Sequence, residues 1–410
     1  MKRPLQALLA RLQFARSFRV VFPGGDELRH GHGEPEFTIR FKTESSVRDC
    51  LRRATLGFGE RYERGEIDVE GPLGHIGELG AALQRAGLAL SPLARLRLLV
   101  GYLARRNTLR RARRNVSSHY DVGNDFYALW LDDELNYSCA YFEDPTDSLE
   151  TAQRGKLDLV CRKLQLQPGM TIVDCGSGWG AFALHAARHY GTRVTGYTIS
   201  KPQHEYSVAR ARDLGLDDRV TFVLEDYRHI ALDGARYDRF VSIGMFEHVG
   251  KDNWPSFFRV LHRAVRPGGL SFVHTIARVV PRAPDPYGER IFPGFRFPTL
   301  VDLTGGLQGL GETLHVLDVE NLRPHYALTL EHWYERFHRN RERISATWGE
   351  PLTRRYELYL ACAPAWFRYD GVLVYQLLVA HGFDPAPPLT RRHMVERVDG
   401  VRDAWSNGYP

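Results

Sequence analysis

TIVDCGSGWGAFALHAARHYGTRVTGYTIS, residues 171–200, reads as a strand, a glycine-rich loop, a helix and a second strand. Glycines at 176, 178 and 180 let the backbone turn from strand into helix and approach a ligand closely, because no Cβ stands in the way. The alternation continues downstream. VTFVLED (220–226) reads as a strand, DRFVSIGMFEHV (238–249) as another, then come a helix over 253–265, the turn RPGG (266–269) and the strand LSFVHTI (270–276). Strand, loop and helix recurring at βαβ spacing predict a doubly wound, Rossmann-like α/β domain with its ligand chemistry at the carboxyl ends of the strands.

The loop points to a nucleotide, and its surroundings narrow the choice. A G-x-G-x-x-G dinucleotide fingerprint would place its third glycine at 181, where Ala181 stands. It would also set a carboxylate at the tip of the second strand for the ribose hydroxyls, and Gly196-Tyr197-Thr198 has none, so NAD is disfavoured. No GK[ST] follows the glycines, which excludes a P-loop. S-adenosylmethionine is the remaining common occupant, since it needs backbone contact but no pyrophosphate cradle. A glycine turn with only a packing role is the alternative. Asp226, ending the third strand, is placed either to accept from an adenine amine or to cap a helix, and its position alone does not choose.

Working outward, 410 residues are enough for two to three domains. Apolar residues at 43% and charged residues at 25% exclude collagen-like, disordered and disulfide-scaffold classes. Cys50, Cys139, Cys161, Cys175 and Cys362 are odd in number with no CxxC pair, which predicts reduced thiols, a cytoplasmic address and no structural metal. The amino-terminal residues are interrupted by Arg11, Arg16 and Arg19 before any signal-peptide run develops, and Pro92, Arg95 and Arg97 break the apolar stretch 88–103. A soluble or peripheral protein is expected.

Residues 1 to 90 mix alternating runs such as FTIRF (37–41) with turn clusters, which predicts a smaller mixed α/β amino-terminal domain. A helical, increasingly basic stretch then ends in Arg105, Arg106, Arg110, Arg111, Arg113 and Arg114. It is either a solvated linker or a face for anionic groups, and the net charge of +6 does not decide. The expected division is 1–115 for this domain and linker and 116–410 for the catalytic domain.

Seven segments taken together resemble the cyclopropane-fatty-acyl-phospholipid synthase family, relatives of the mycolic acid cyclopropane synthases. They are HYDVGNDFYALWLDDELNYSCAYF (119–142), DCGSGWG (174–180), GYTISKPQ (196–203), GMFEHVG (244–250), FVHTI (272–276), IFPG (291–294) and HYALTLEHWYERF (325–337), in collinear order. The resemblance implies a class I S-adenosylmethionine-dependent methyltransferase domain. It implies methylene transfer from S-adenosylmethionine to a cis double bond of an acyl chain in a membrane phospholipid. Carried over residue by residue, the nucleotide would be held by Tyr137, Ser138, Gly176, Gly178, Thr198, Gln203, Asp226 and Tyr227, with Gln203 in place of the missing ribose carboxylate. The family's bicarbonate site maps onto Cys139, Glu247, His274, the backbone of Ile276, and Tyr326. Ser177 departs from the cysteine common in the family loop, and residues 278–312 match loosely.

The chemistry needs such a set. An isolated alkene is a weak nucleophile, so the sulfonium methyl must be held in line with it. The resulting carbocation needs a dry pocket, and the faces of Tyr137, Tyr141, Phe142, Phe246 and Tyr326 are candidates to stabilise it, or are ordinary core aromatics. Ring closure needs a base, here implied to be bicarbonate. The expected partner is a bilayer surface with anionic head groups, met peripherally from the cytoplasm, and the amino-terminal domain is expected to dock on it or to form a homodimer. No RRM, KH or zinc-knuckle signature accompanies the arginines, so nucleic acid is not expected. Two alternatives share the first step or the fold: a hydride shift giving a methylene- or methyl-branched chain, and a small-molecule N-methyltransferase.

Overall fold

The computed structural model describes residues 2–86, 122–232, 234–311, 313–383 and 388–396. The arginines from 105 to 114 and the division expected near residue 115 lie outside the described residues. The chain separates into two units. One comprises Met1–Arg106, Val279–Phe295 and Tyr326–Leu373, the other Asn107–Arg278, Arg296–His325 and Val374–Pro410.

The first unit contains a four-stranded sheet of β1 (Phe18–Val21), β2 (Glu27–His30), β3 (Phe37–Phe41) and β4 (Ile67–Glu70) in the order β2-β1-β3-β4. Its central pair β1 and β3 is parallel, and both outer pairs are antiparallel. The apolar residues Phe18, Val20, Phe37, Ile39 and Phe41 pack with Val47, Leu79 and Ala82 from the helices Glu44–Glu63 and Gly74–Arg85. Thr43 opens the first of these helices by accepting from Ser46 N at 3.1 Å, and the helix kinks at Ala54. The helix Glu350–Tyr369 comes close enough to Gly77 that a Cβ there would stand 2.5 Å from the Cys362 carbonyl oxygen. Only glycine permits that approach.

The second unit is organised by a seven-stranded sheet. Its strands are β5 (Thr171–Cys175), β6 (Arg193–Thr198), β7 (Val220–Leu224), β8 (Tyr237–Ile243), β9 (Val265–Arg278), β10 (Leu314–Asn321) and β11 (Val372–His381), ordered β10-β11-β9-β8-β5-β6-β7. The run β9-β8-β5-β6-β7 is parallel and β10 pairs antiparallel with β11. Successive residues along each strand feed opposite faces: Ile172, Val241 and Phe272 enter one core, and Val173, Phe240 and Val273 the other. Helices Leu149–Lys163 and Ala181–Tyr190 cover the first face, and Trp254–Ala264 and Leu300–Gln308 the second. This is the doubly wound α/β class expected. Strand order reverses at β5, between β6 and β8, and such a switch point opens a crevice at the carboxyl ends of the strands.

Two local expectations are corrected. The stretch 238–249 is not one strand: β8 stops at Ile243, Gly244 takes φ +67°, and Phe246–Val249 forms a helical turn. Residues 266–269 do not form a separate turn but run within β9, with a shift of register against β8. No described helix is long and apolar enough to cross a membrane.

Candidate active site

The crevice after β5 is a cavity, and the eight residues assigned above to the nucleotide all line it. Gly176 leaves β5 at φ +93°, and a Cβ there would stand 2.6 Å from Met245 Cγ. Gly176 N and Ser177 N both donate to Tyr197 O, at 3.0 and 2.9 Å, which ties the loop to the end of β6. Around Gly178 nothing lies within 4 Å of a Cβ position, and the buried Ser177 hydroxyl has no hydrogen-bond partner among the described residues. An open cradle beside an unmatched polar atom suits a ligand rich in hydroxyls and amines. At the tip of β6, Thr198 Oγ1 donates to Gln203 Oε1 at 3.1 Å, so the hydroxyl orients the amide. Asp226 accepts from Arg228 N through Oδ1 at 3.0 Å, which realises the capping role, while its carboxylate also lines the cavity.

Tyr137 and Ser138 reach the cavity from a loop built around one carboxylate. Asp132 accepts from Asn136 N at 2.7 Å, from Asn136 Nδ2 at 2.8 Å and from Glu134 N at 3.2 Å. Within it Leu135 is held at φ +55°, a conformation that costs an L-residue roughly 1–2 kcal/mol. The helix Leu149–Lys163 props the loop from inside. Lys156 Nζ donates to Asn136 Oδ1 at 2.9 Å and to Ser138 Oγ at 3.1 Å, and Gln153 Nε2 donates to Ser138 O at 2.9 Å. Burial pushes the Lys156 ammonium down to about 8 against the pull of Asp132 and other acids, and pushes Asp174 up to about 7 against Lys156. Both line the cavity. Sequence reading missed Asn136, Gln153, Lys156 and Asp174. The signal available was Gln153 and Lys156 at helical spacing on the face that also carries Leu149, Ala152 and Val160.

Glu247 lies in the turn after β8 and is buried. Its Oε2 accepts from Thr275 Oγ1 at 2.8 Å and its Oε1 from Ile276 N at 3.4 Å. Burial pushes its carboxyl up to about 7, with those hydrogen bonds pulling the other way. Glu247 and the Ile276 backbone are therefore in direct contact. Thr275 joins them without having been anticipated.

His274, two residues earlier on β9, is buried, with Nδ1 3.3 Å from Gln376 Nε2. Burial, reinforced by Lys156 and Lys163, pushes the imidazole down to about 3. Cys139 is buried, its Sγ directed at the carbonyls of Ala140 and Leu322 at 3.2 and 3.9 Å. Tyr326 belongs to the first unit, where its ring packs on Trp333 and Phe367. Of the other aromatic candidates, Phe246 is a core residue against Trp254, Phe257 and Phe258. Tyr141 stacks on His325 at 4.8 Å, and Tyr137 packs edge-on against Trp130 at 5.2 Å.

Comparison with known proteins places these observations in a family. A profile described as "Mycolic acid cyclopropane synthetase" matches residues 107–377, and one described as a domain of unknown function matches residues 5–86. A "Probable fatty acid methyltransferase" of Pseudomonas putida is 36% identical over 356 residues, covering 84% of this chain and 87% of the relative. The "Cyclopropane-fatty-acyl-phospholipid synthase" of Escherichia coli (strain K12) is 35% identical over 361 residues, covering 86% and 90%. Among solved structures, mycolic acid cyclopropane synthase CmaA1 complexed with SAH and CTAB superposes with a TM-score of 0.60 at 33% identity, covering 65% of this chain and 97% of that one.

Proposed function

Because the chain belongs to the mycolic acid cyclopropane synthetase family and is an S-adenosylmethionine-dependent methyltransferase, we propose that it cyclopropanates cis-unsaturated acyl chains of membrane phospholipids. The observation that carries the reading is a cavity at the switch point lined by all eight residues assigned to the nucleotide, while Glu247, buried on the turn that leaves β8, lies behind it between the cavity-lining Met245 and His248.

The work of these residues follows from their placement. The loop carrying Tyr137 and Ser138, propped by Lys156, would close over the methionine end of S-adenosylmethionine, and Gln203 and Asp226 would hold its ribose and adenine. So fixed, the sulfonium methyl can be presented in line to the π bond; the S–C bond breaks as the new C–C bond forms. A carbocation is left on the neighbouring carbon. Loss of a proton from the transferred methyl lets that carbon close the three-membered ring.

Bicarbonate, when bound, would supply the general base for that proton. The residues present fit such an ion. Each Glu247 oxygen accepts one hydrogen bond and keeps a lone pair for a hydroxyl, and neutral His274 has one ring N–H to offer an oxyanion. Cys139 would stand beside them; the Ile276 N–H donates to Glu247 Oε1 in this structure, so its part, like that of Tyr326, rests on the resemblance alone. The bilayer would be met peripherally on its cytoplasmic face, with the arginines of 105–114 against anionic head groups.

A second reading keeps the transfer and changes its ending to a branched chain, favoured by the relative named as a fatty acid methyltransferase. Incubation with S-adenosylmethionine and cis-unsaturated phospholipid vesicles, followed by mass and proton NMR analysis of the acyl chains, separates the readings. A mass gain of one methylene with upfield cyclopropyl signals supports the first. Vinylidene or branched-methyl signals select the second, and unmodified chains with methylated amines would refute both.

A further inference from the structure

A neutral imidazole carries its proton on one of two nitrogens, and the choice decides whether the edge offered to a ligand donates or accepts. Its partners fix that choice. Behind His274, within the second unit, Lys163 Nζ donates to Asp318 Oδ2 at 3.3 Å, to Glu320 Oε2 at 2.5 Å and to Gln376 Oε1 at 2.9 Å. An ammonium has three protons and no acceptor, so these three contacts use all of them, and only the oxygen of the Gln376 amide can face the lysine. Gln376 Nε2 is thereby turned toward His274 Nδ1, 3.3 Å away.

An amide nitrogen donates and does not accept, so Nδ1 is the acceptor and the ring proton sits on Nε2. Rotating the amide would set its NH2 against the ammonium, donor to donor. Lys163, Gln376 and His274 are all buried. No described residue is hydrogen-bonded to Nε2. Burial holds the ring neutral, leaving the tautomer as its one remaining freedom.

We propose that Gln376, locked by Lys163, is a positioning residue that fixes His274 as the Nε2–H tautomer, so that the ring donates to the oxyanion at the site and does not compete as a base. The fixed tautomer rests on geometry alone; its use toward an oxyanion rests on the bicarbonate reading above. In Gln376→Glu the new carboxylate stays with Lys163 and accepts from Nδ1–H, so the ring proton moves and Nε2 becomes an acceptor facing an anion. In Lys163→Met the amide is released and both tautomers become populated.

The test is nitrogen NMR of the full chain labelled with ¹⁵N-histidine, with the His274 resonances identified by their loss in His274→Asn. The wild type should show a protonated Nε2 and an unprotonated Nδ1, with the Nε2–H signal moving when bicarbonate is added. Gln376→Glu should reverse the pattern and abolish the bicarbonate response while retaining S-adenosylmethionine binding by calorimetry, and Lys163→Met should mix the two forms. A wild-type ring protonated on Nδ1, or an Nε2–H pattern unchanged in both variants, overturns the proposal. An Nε2–H ring that reverses in Gln376→Glu yet ignores bicarbonate supports the role of Gln376 in fixing the tautomer and overturns the bicarbonate reading.

Discussion

Replacing Glu247 by glutamine should make the protein more stable at neutral and alkaline pH while abolishing turnover. The carboxyl ionises near its usual 4.5 in the unfolded chain and at about 7 when folded, because burial disfavours its charge. Below pH 4.5 it is protonated in both states and costs nothing. Between 4.5 and 7 the unfolded chain releases the proton first, so rising pH draws the equilibrium toward unfolding. Above 7 the cost is complete and constant. The gap, at roughly 1.4 kcal/mol per pH unit, amounts to about 3 kcal/mol.

Glutamine removes that cost without orphaning a neighbour. Its amide oxygen can accept from Ile276 N, and its NH2 can donate to Thr275 Oγ1, whose proton turns to Ile276 O, already 3.1 Å away. Thermal unfolding of wild type and Glu247→Gln across pH 5 to 8 reads the difference. The variant should melt several degrees higher at pH 8, on the order of 5–10 °C for a unit of this size, with the gain shrinking to under about 1 kcal/mol at pH 5. Equal or lower melting of the variant at pH 8 would refute the claim that this carboxyl is held against its preferred state for the sake of the reaction.

Three further changes test the scaffold. Gly176→Ala meets both a left-handed backbone and Met245, and should weaken S-adenosylmethionine binding by calorimetry roughly five- to 150-fold, for a strain of roughly 1–3 kcal/mol; unchanged affinity would contradict the loop geometry. Lys156→Met strands Asn136 Oδ1 and Ser138 Oγ, at about 1–3 kcal/mol for each buried partner lost, and should raise KM for S-adenosylmethionine more than it lowers kcat. A selective loss of kcat would place Lys156 in the chemistry instead. Gly77→Ala drives a methyl into the Cys362 carbonyl and should cost roughly 1–3 kcal/mol of stability, read as a lower melting temperature of the first unit.

Much of the second unit was legible because its signals are local. Strand, loop and helix recurring at βαβ spacing marked β5 to β9, and the glycines at 176, 178 and 180 marked the turn that sets the cavity. What escaped depends on long-range packing. Gly244 looks like a small residue inside an apolar run, and only its positive φ ends β8 and turns Glu247 inward. Lys163 and Gln376 are 213 positions apart in sequence, so no spacing rule joins them, although a lone glutamine within VLVYQLLVAH is a buried polar group in want of a partner. Likewise nothing periodic announces that 279–295 and 326–373 belong with the amino-terminal sheet. That membership comes from contacts such as Gly77 on Cys362, which leave no trace in local composition.

The central claim is that a bound hydrogencarbonate removes the proton that closes the ring. Turnover of ¹³C-methyl S-adenosylmethionine on cis-unsaturated vesicles, in buffer stripped of carbon dioxide and then resupplied with bicarbonate, measures it directly. Label should enter cyclopropyl carbons only after resupply, and Glu247→Gln should stay silent throughout. Undiminished cyclopropyl label in the stripped buffer would contradict the account.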